Sequence, residues 1–181
     1  KELMTRNNIE ILSYKDHVIY EENEVVKDNG DPYVVYTPYS RKWISKFNYQ
    51  EIVTYHSEEY LNNLKSLNKT LKIDEIPFSS NLKPLELNFN EDIIKNYERD
   101  RNFPAINATS KLGVHLRFGT KSVRELVLRS NSSENKTFLK ELIWREFFIQ
   151  ILWHFPHTVN KCFKEKYEKV EWINDNENFI K

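Results

Sequence analysis

Hydrophobic residues crowd towards the C-terminal half of this chain of 181 residues. The densest run spans residues 137–155 and predicts a long helix from about Glu134 or Thr137 to about Phe155, where Pro156 ends it. On such a helix Phe138, Glu141, Trp144, Arg145 and Phe148 share one face. The other side, with Leu139, Leu142, Ile143, Phe147 and Ile151, is apolar too. A helix that is apolar nearly all round is expected to be buried, so its charges need partners inside the protein.

Upstream, Ile93, Ile94 and Tyr97 have helical spacing, and Pro104 interrupts. Thr109-Ser110 is expected to cap a short helix through Leu112, Leu116 and Phe118, stopped by Gly119. Ser122-Val123-Arg124-Glu125 matches a capping box and opens a helix through Leu126, Val127 and Leu128, with a loop at 131–135. Nearer the N-terminus, residues 9–21 hold short strand-like runs, and Tyr33-Val34-Val35-Tyr36 is β-prone. Thr37-Pro38 reads as an N-cap followed by proline at the first helical position. Trp43, Ile44 and Phe47 then share a face of a short helix. Residues 50–90 are polar, with prolines at 77 and 84, and predict a long irregular linker. The fold class expected is mainly α, with a small β element near the N-terminus.

Composition narrows the chemistry. Three glycines exclude a glycine-rich phosphate loop, and the single cysteine, Cys162, excludes an internal disulfide. A reducing, cytoplasmic location is expected; no stretch is long and apolar enough to span a membrane, and no signal-peptide core opens the chain. The 4 Trp, 10 Tyr and 11 Phe supply both core and stacking surfaces. The zero net charge hides an asymmetry. Residues 1–60 carry 7 Lys/Arg against 11 Asp/Glu, whereas residues 99–129 carry seven cations against Asp100 and Glu125. On charge alone, the solvated faces of short helices account for that basic block better than an anionic partner does. His154 and His157 flank Phe155-Pro156 without a nearby acid or cysteine, so no metal site is expected.

Local chemistry leaves choices open. Thr109-Ser110 at a helix start is either an anion seat or an ordinary cap. Glu141 and Arg145 are either an i,i+4 surface pair or groups turned into an enclosed site, and the surrounding Leu, Ile, Phe and Trp favour the second. Periodicity assigns Trp144 equally to core packing or to a stacking surface.

Three segments in order resemble the photolyase/cryptochrome family. Gly30-Asp31-Pro32-Tyr33-Val34-Val35-Tyr36-Thr37-Pro38-Tyr39, with Trp43 after it, resembles the passage from the family's α/β antenna domain into its linker. Tyr97 to Ala105, then Thr109-Ser110-Lys111-Leu112-Gly113 and Leu116-Arg117-Phe118-Gly119, resembles the flavin phosphate-binding segment. Phe138 to Phe147, with His154-Phe155-Pro156, resembles the helix flooring the flavin cavity. The resemblance implies an antenna-domain remnant at 1–36, an interdomain linker at 37–90 and the first part of the helical FAD-binding domain at 91–181.

The same resemblance implies FAD as cofactor, held by Tyr97, Thr109, Ser110, Lys111, Leu112, Gly113, Phe138, Glu141 and Arg145. The family usually has serine where Gly113 stands. It further implies damaged DNA as partner, with Glu141, Trp144 and Arg101 meeting the substrate and the basic residues between 99 and 129 meeting phosphates. A second antenna chromophore is a family option that this segment does not identify. The implied activity is light-driven splitting of pyrimidine dimers; the alternatives are a cryptochrome-type photosensor and an inactive helical module. Family members are much longer, so an internal fragment is expected, one that alone binds flavin poorly or not at all and self-associates through exposed apolar surface.

Overall fold

The computed structural model describes residues 2–53, 57–64, 72, 75 and 86–180. Much of the expected linker, with Pro77 and Pro84, lies outside the described residues. The rest is mainly helical: α1 (Glu2–Arg6), α2 (Tyr36–Lys46), α3 (Glu91–Asp100), α4 (Leu112–Arg117), α5 (Val123–Ser132), α6 (Thr137–His154) and α7 (Asn176–Ile180). Short 3-10 turns at Tyr49–Glu51, Ser57–Asn63, Pro156–Val159 and Glu165–Tyr167 connect them.

Helix α6 is the centre, packing on α2, α3 and α5. Its inner side buries Phe138, Leu139, Leu142, Ile143 and Phe147 against Tyr39 and Trp43 of α2, Ile94 of α3, and Leu126 and Val127 of α5. The expectation of burial all round is corrected, because Phe148, Leu152 and Trp153 face solvent. Trp172, Ile173 and Phe179 near the C-terminus are exposed as well. Among the described residues, no helix is long and apolar enough to cross a membrane.

Several local expectations change. No strand forms among the described residues; the strand-prone runs at 9–21 and 33–36 yield one isolated bridge, Val26 to Pro32. Without a long partner strand, backbone groups of the first run bond to side chains of α5 and α6, and in the second run Tyr36 starts a helix. Val35 is the N-cap of α2, not Thr37, and Pro38 falls within the first turn, where a missing N–H is harmless. In α2, Trp43 is buried and Phe47 stacks on it, while Ile44 is exposed.

Thr109-Ser110 does not cap α4; the N-cap is Lys111, in the left-handed region at φ 56°. The α4 helix does end before Gly119, whose φ of +67° suits glycine. Ser122 stands at the N-cap of α5, but its side chain makes no capping bond. Asn90 caps α3, accepting from the Ile93 N–H at 2.9 Å.

Candidate functional site on helix α6

Arg124 of α5 and successive turns of α6 hold the chain from Lys15 to Glu22 as a strap. Arg124 of α5 donates to the carbonyls of Asp16 and Lys15, each at 2.7 Å. Arg145 donates to the His17 carbonyl at 2.9 Å. Glu146 accepts from the Ile19 and Tyr20 N–H groups at 2.6 and 3.2 Å. Gln150 donates to the Glu21 carbonyl at 2.9 Å, and His154, as the Nε2–H tautomer, to that of Glu22 at 2.8 Å. The strap therefore follows α6 in the same chain direction, satisfied by side chains where a sheet would use backbone.

Glu146 anchors this arrangement and was missed as a site-building residue by sequence reasoning. It is 2% exposed and also accepts from Trp43 Nε1–H at 2.7 Å. Burial pushes its carboxyl above the usual carboxylate value, and the three donors together with Arg145 oppose that shift. The Tyr39 hydroxyl lies near the same carboxylate without a hydrogen bond to a described residue, and burial raises its pKa strongly. The signal was present in the chain: Glu146, Gln150 and His154 are a polar row at four-residue spacing, and Glu146 shares its face with Leu139, Leu142 and Ile143.

The expected site residues fall into three neighbouring groups. The first lies between α3 and α6. Tyr97 meets Phe138 edge-on at 4.9 Å between centroids, the Arg101 guanidinium lies 5.6 Å from the Tyr97 ring, and Arg101 pairs with Glu141. Burial, then Glu141, raises the Tyr97 phenol pKa. Phe138 is core, packed against Tyr97 and Phe89. The Arg101–Glu141 side chains are each 37% exposed, so their pairing is worth only about 0–1 kcal/mol and releases either partner easily.

The second group is a groove of about 940 Å³ bounded by Asp16, His17, Gly113, Leu116, Phe118 and Arg145. The Arg145 guanidinium is half-buried there, and desolvation lowers its pKa. Of its five donors, one is taken among the described residues, by the His17 carbonyl. A Cβ placed on Gly113 meets nothing within 4 Å. Thr109 and Ser110 reach this turn with their carbonyls bound to Asn88, while the N–H groups of Thr109, Ser110 and Lys111 have no acceptor among the described residues. Leu112 is buried, so only its backbone can face a ligand. Spare donors and open space suit a phosphate-bearing group.

The third group is aromatic. Trp144 turns away from Arg145 towards α2, where Tyr36 stacks on it at 3.6 Å and 6°. The shared helix face of Glu141, Trp144 and Arg145 thus does not become one enclosed site. They occupy three adjoining surfaces of α6, because residues 141, 144 and 145 diverge around the helix towards α3, α2 and the strap.

A family model described as the FAD binding domain of DNA photolyase matches residues 138–181. The chain is 26% identical over 192 residues to the deoxyribodipyrimidine photo-lyase of Alkalihalophilus pseudofirmus, covering 95% of this chain and 40% of that protein. It is 27% identical over 203 residues to that of Agrobacterium fabrum, covering 99% of this chain and 42% of the relative. A shorter match, 34% identical over 103 residues, joins half of the chain to 17% of the Neurospora crassa protein of the same name.

Over nearly its whole length the chain resembles deoxyribodipyrimidine photo-lyases.

It spans about two fifths of the length of the two bacterial relatives. FAD is the cofactor of the matched photolyase domain. The mainly helical fold agrees with that domain.

The basic block has a more local use than a free DNA surface. Arg99 pairs with Asp100, Arg101 with Glu141, and Arg129 with Glu91 and Glu125; Lys121 lies 4.0 Å from Glu125, and Arg124 holds the strap. Lys111 and Arg117 are exposed, with no ion-pair partner among the described residues. His154 is committed to the strap, and no group of three or more metal-ligating side chains gathers among the described residues.

Proposed function

We propose that this chain is part of a light-driven, FAD-dependent enzyme that splits pyrimidine dimers in DNA. The observation carrying this reading is the groove in which the half-buried Arg145, with donors to spare, lies beside the open backbone of Gly113. Bound FAD supplies the photoexcitable electron donor for dimer splitting. The chain's own residues bind and orient. Arg145 and the backbone from Thr109 to Gly113 hold the diphosphate, and Leu112 contributes only its backbone. Tyr97 and Glu141 line the adjoining surface, with Phe138 supporting Tyr97 from the core.

Glu141, released from Arg101, accepts from polar groups of the substrate base, and Arg101 turns to a phosphate. Trp144 offers an aromatic surface to a base taken out of the stack. Residues 1–36 serve as the end of an antenna domain, 37–90 as the linker and 91–181 as the start of the FAD-binding domain. The names of the matched relatives support the dimer as substrate. The test uses the full-length gene product with an oligonucleotide carrying a thymine dimer. Light-dependent loss of the dimer that falls at least tenfold in Trp144→Ala is expected, on the order of the stacking contribution of one ring. Unchanged dimer loss in that variant, or none in the parent, overturns the reading.

A further inference from the structure

Tyr36 is bound to Trp144 by more than ring attraction. The two centroids are 3.6 Å apart and the planes differ by 6°, so the rings lie directly over one another. Aromatic pairs left to themselves prefer an offset or an edge-on approach. Here the overlap is imposed from both ends. The Tyr36 hydroxyl donates to the Lys140 carbonyl at 2.9 Å, pinning the far end of the phenol to the same helix that carries the indole. At the other end Tyr36 opens α2, which is docked on α6 through Trp43 and Glu146. The edge of Phe147 closes the corner, 5.9 Å from Tyr36 and 5.7 Å from Trp144. Burial, followed by Glu141, raises the phenol pKa to about 12, so the hydroxyl stays a neutral donor throughout the physiological range.

We infer that Tyr36 is a positioning residue for the proposed substrate site: it backs one face of the Trp144 indole and fixes the plane against which a damaged base stacks. This rests on the reading of Trp144 as the base-stacking residue. Phe147 meets the indole edge-on at 5.7 Å and the exposed Phe148 lies at 5.5 Å with its plane tilted by 24°, so Tyr36, at 3.6 Å and 6°, is the contact that most closely fixes the plane of the indole. Backed by Tyr36, the indole meets a flat ring without first being ordered, which is how a preorganised aromatic surface strengthens binding. The linker helix then contributes to recognition from a place remote in sequence from the helix that touches the base. Tyr36 is not proposed to touch substrate, cofactor or the reacting atoms.

The experiment measures affinity by fluorescence anisotropy with the full-length gene product. The probes are a labelled oligonucleotide carrying one cyclobutane thymine dimer and its undamaged counterpart. Tyr36→Leu is expected to weaken dimer binding about five- to tenfold, the scale of one aromatic pair, and to leave undamaged binding and flavin content unchanged. Tyr36→Phe, which keeps the ring, is expected to restore most of the loss. Three results overturn the inference: unchanged dimer affinity in Tyr36→Leu, tighter dimer binding there because the phenol had occupied the base's own place, or equal loss for both oligonucleotides together with loss of flavin. Trp144→Ala separates the two readings. If it leaves dimer affinity intact, the assignment of Trp144 fails; if it weakens dimer binding while Tyr36→Leu does not, only the role of Tyr36 fails.

Discussion

The Trp43 indole donates to the Glu146 carboxylate at 2.7 Å, joining α2 to the centre of α6 across 103 positions of sequence. The same carboxylate takes the Ile19 and Tyr20 N–H groups, so one buried acid ties three separate segments together. A buried carboxylate is tolerable only with such donors, and each donor in turn depends on it.

Removing either side should therefore be expensive, to different degrees. Trp43→Phe deletes one hydrogen bond to a charged group and is expected to destabilise by about 1.5–3 kcal/mol. Glu146→Leu leaves three donors without their acceptor, two of them buried at about 1–3 kcal/mol each, and is expected to be the more severe. Urea denaturation of the two variants checks the order; equal effects mean that the indole accounts for the whole anchor.

The pH dependence has a definite sign. The folded pKa of Glu146 is raised above the ordinary 4.5, chiefly by burial, so the folded protein holds the proton more tightly than the unfolded chain. Its contribution is fully present below 4.5 and is lost as pH rises through the raised folded value. Glu146→Gln removes this titration. The stability difference between wild type and Glu146→Gln is expected to shift against wild type as pH rises across that window, read by denaturation at a series of pH values. A shift in the opposite direction means that the three donors outweigh desolvation.

Arg124 holds only the beginning of the strap. Arg124→Ala deletes two charge-assisted bonds, to Lys15 and Asp16, while the Glu146 anchor stays. Local opening without global unfolding is expected. Tryptic cleavage after Lys15 should accelerate by about tenfold or more, with the melting temperature shifting much less. Cleavage at the parental rate would mean that Glu146 and Gln150 hold the strap without Arg124.

The groove beside Gly113 yields a gain as well as a loss. A Cβ there meets nothing within 4 Å, so Gly113→Ser is expected to keep the fold and, by adding a hydroxyl donor, to tighten FAD binding a few fold, about 0.5–1.5 kcal/mol. Arg145→Leu is expected to weaken it by about 10- to 100-fold, the range of a charged hydrogen bond. Flavin fluorescence titration of the full-length gene product measures both. Unchanged affinity in Arg145→Leu removes the guanidinium from the proposed site.

What could be read from the residue order was local or periodic. Helix α6, from Thr137 to His154, stands within three residues of either expected start and ends just before Pro156, because apolar spacing and a missing N–H act within a few turns. The α3 and α5 helices were legible for the same reason, and the residues of three short segments sufficed to reveal the resemblance to photolyases. The strands expected at 9–21 and 33–36 did not form, since a strand needs a partner and strand propensity says nothing about which partner is available. In place of a sheet edge, the first of these segments found Arg124, Arg145, Glu146 and Gln150. Likewise, helical spacing put Glu141, Trp144 and Arg145 near one another, but not the directions they take. Folding sends them to Arg101, Tyr36 and the His17 carbonyl, because a side chain settles against whatever distant segment packing brings within reach.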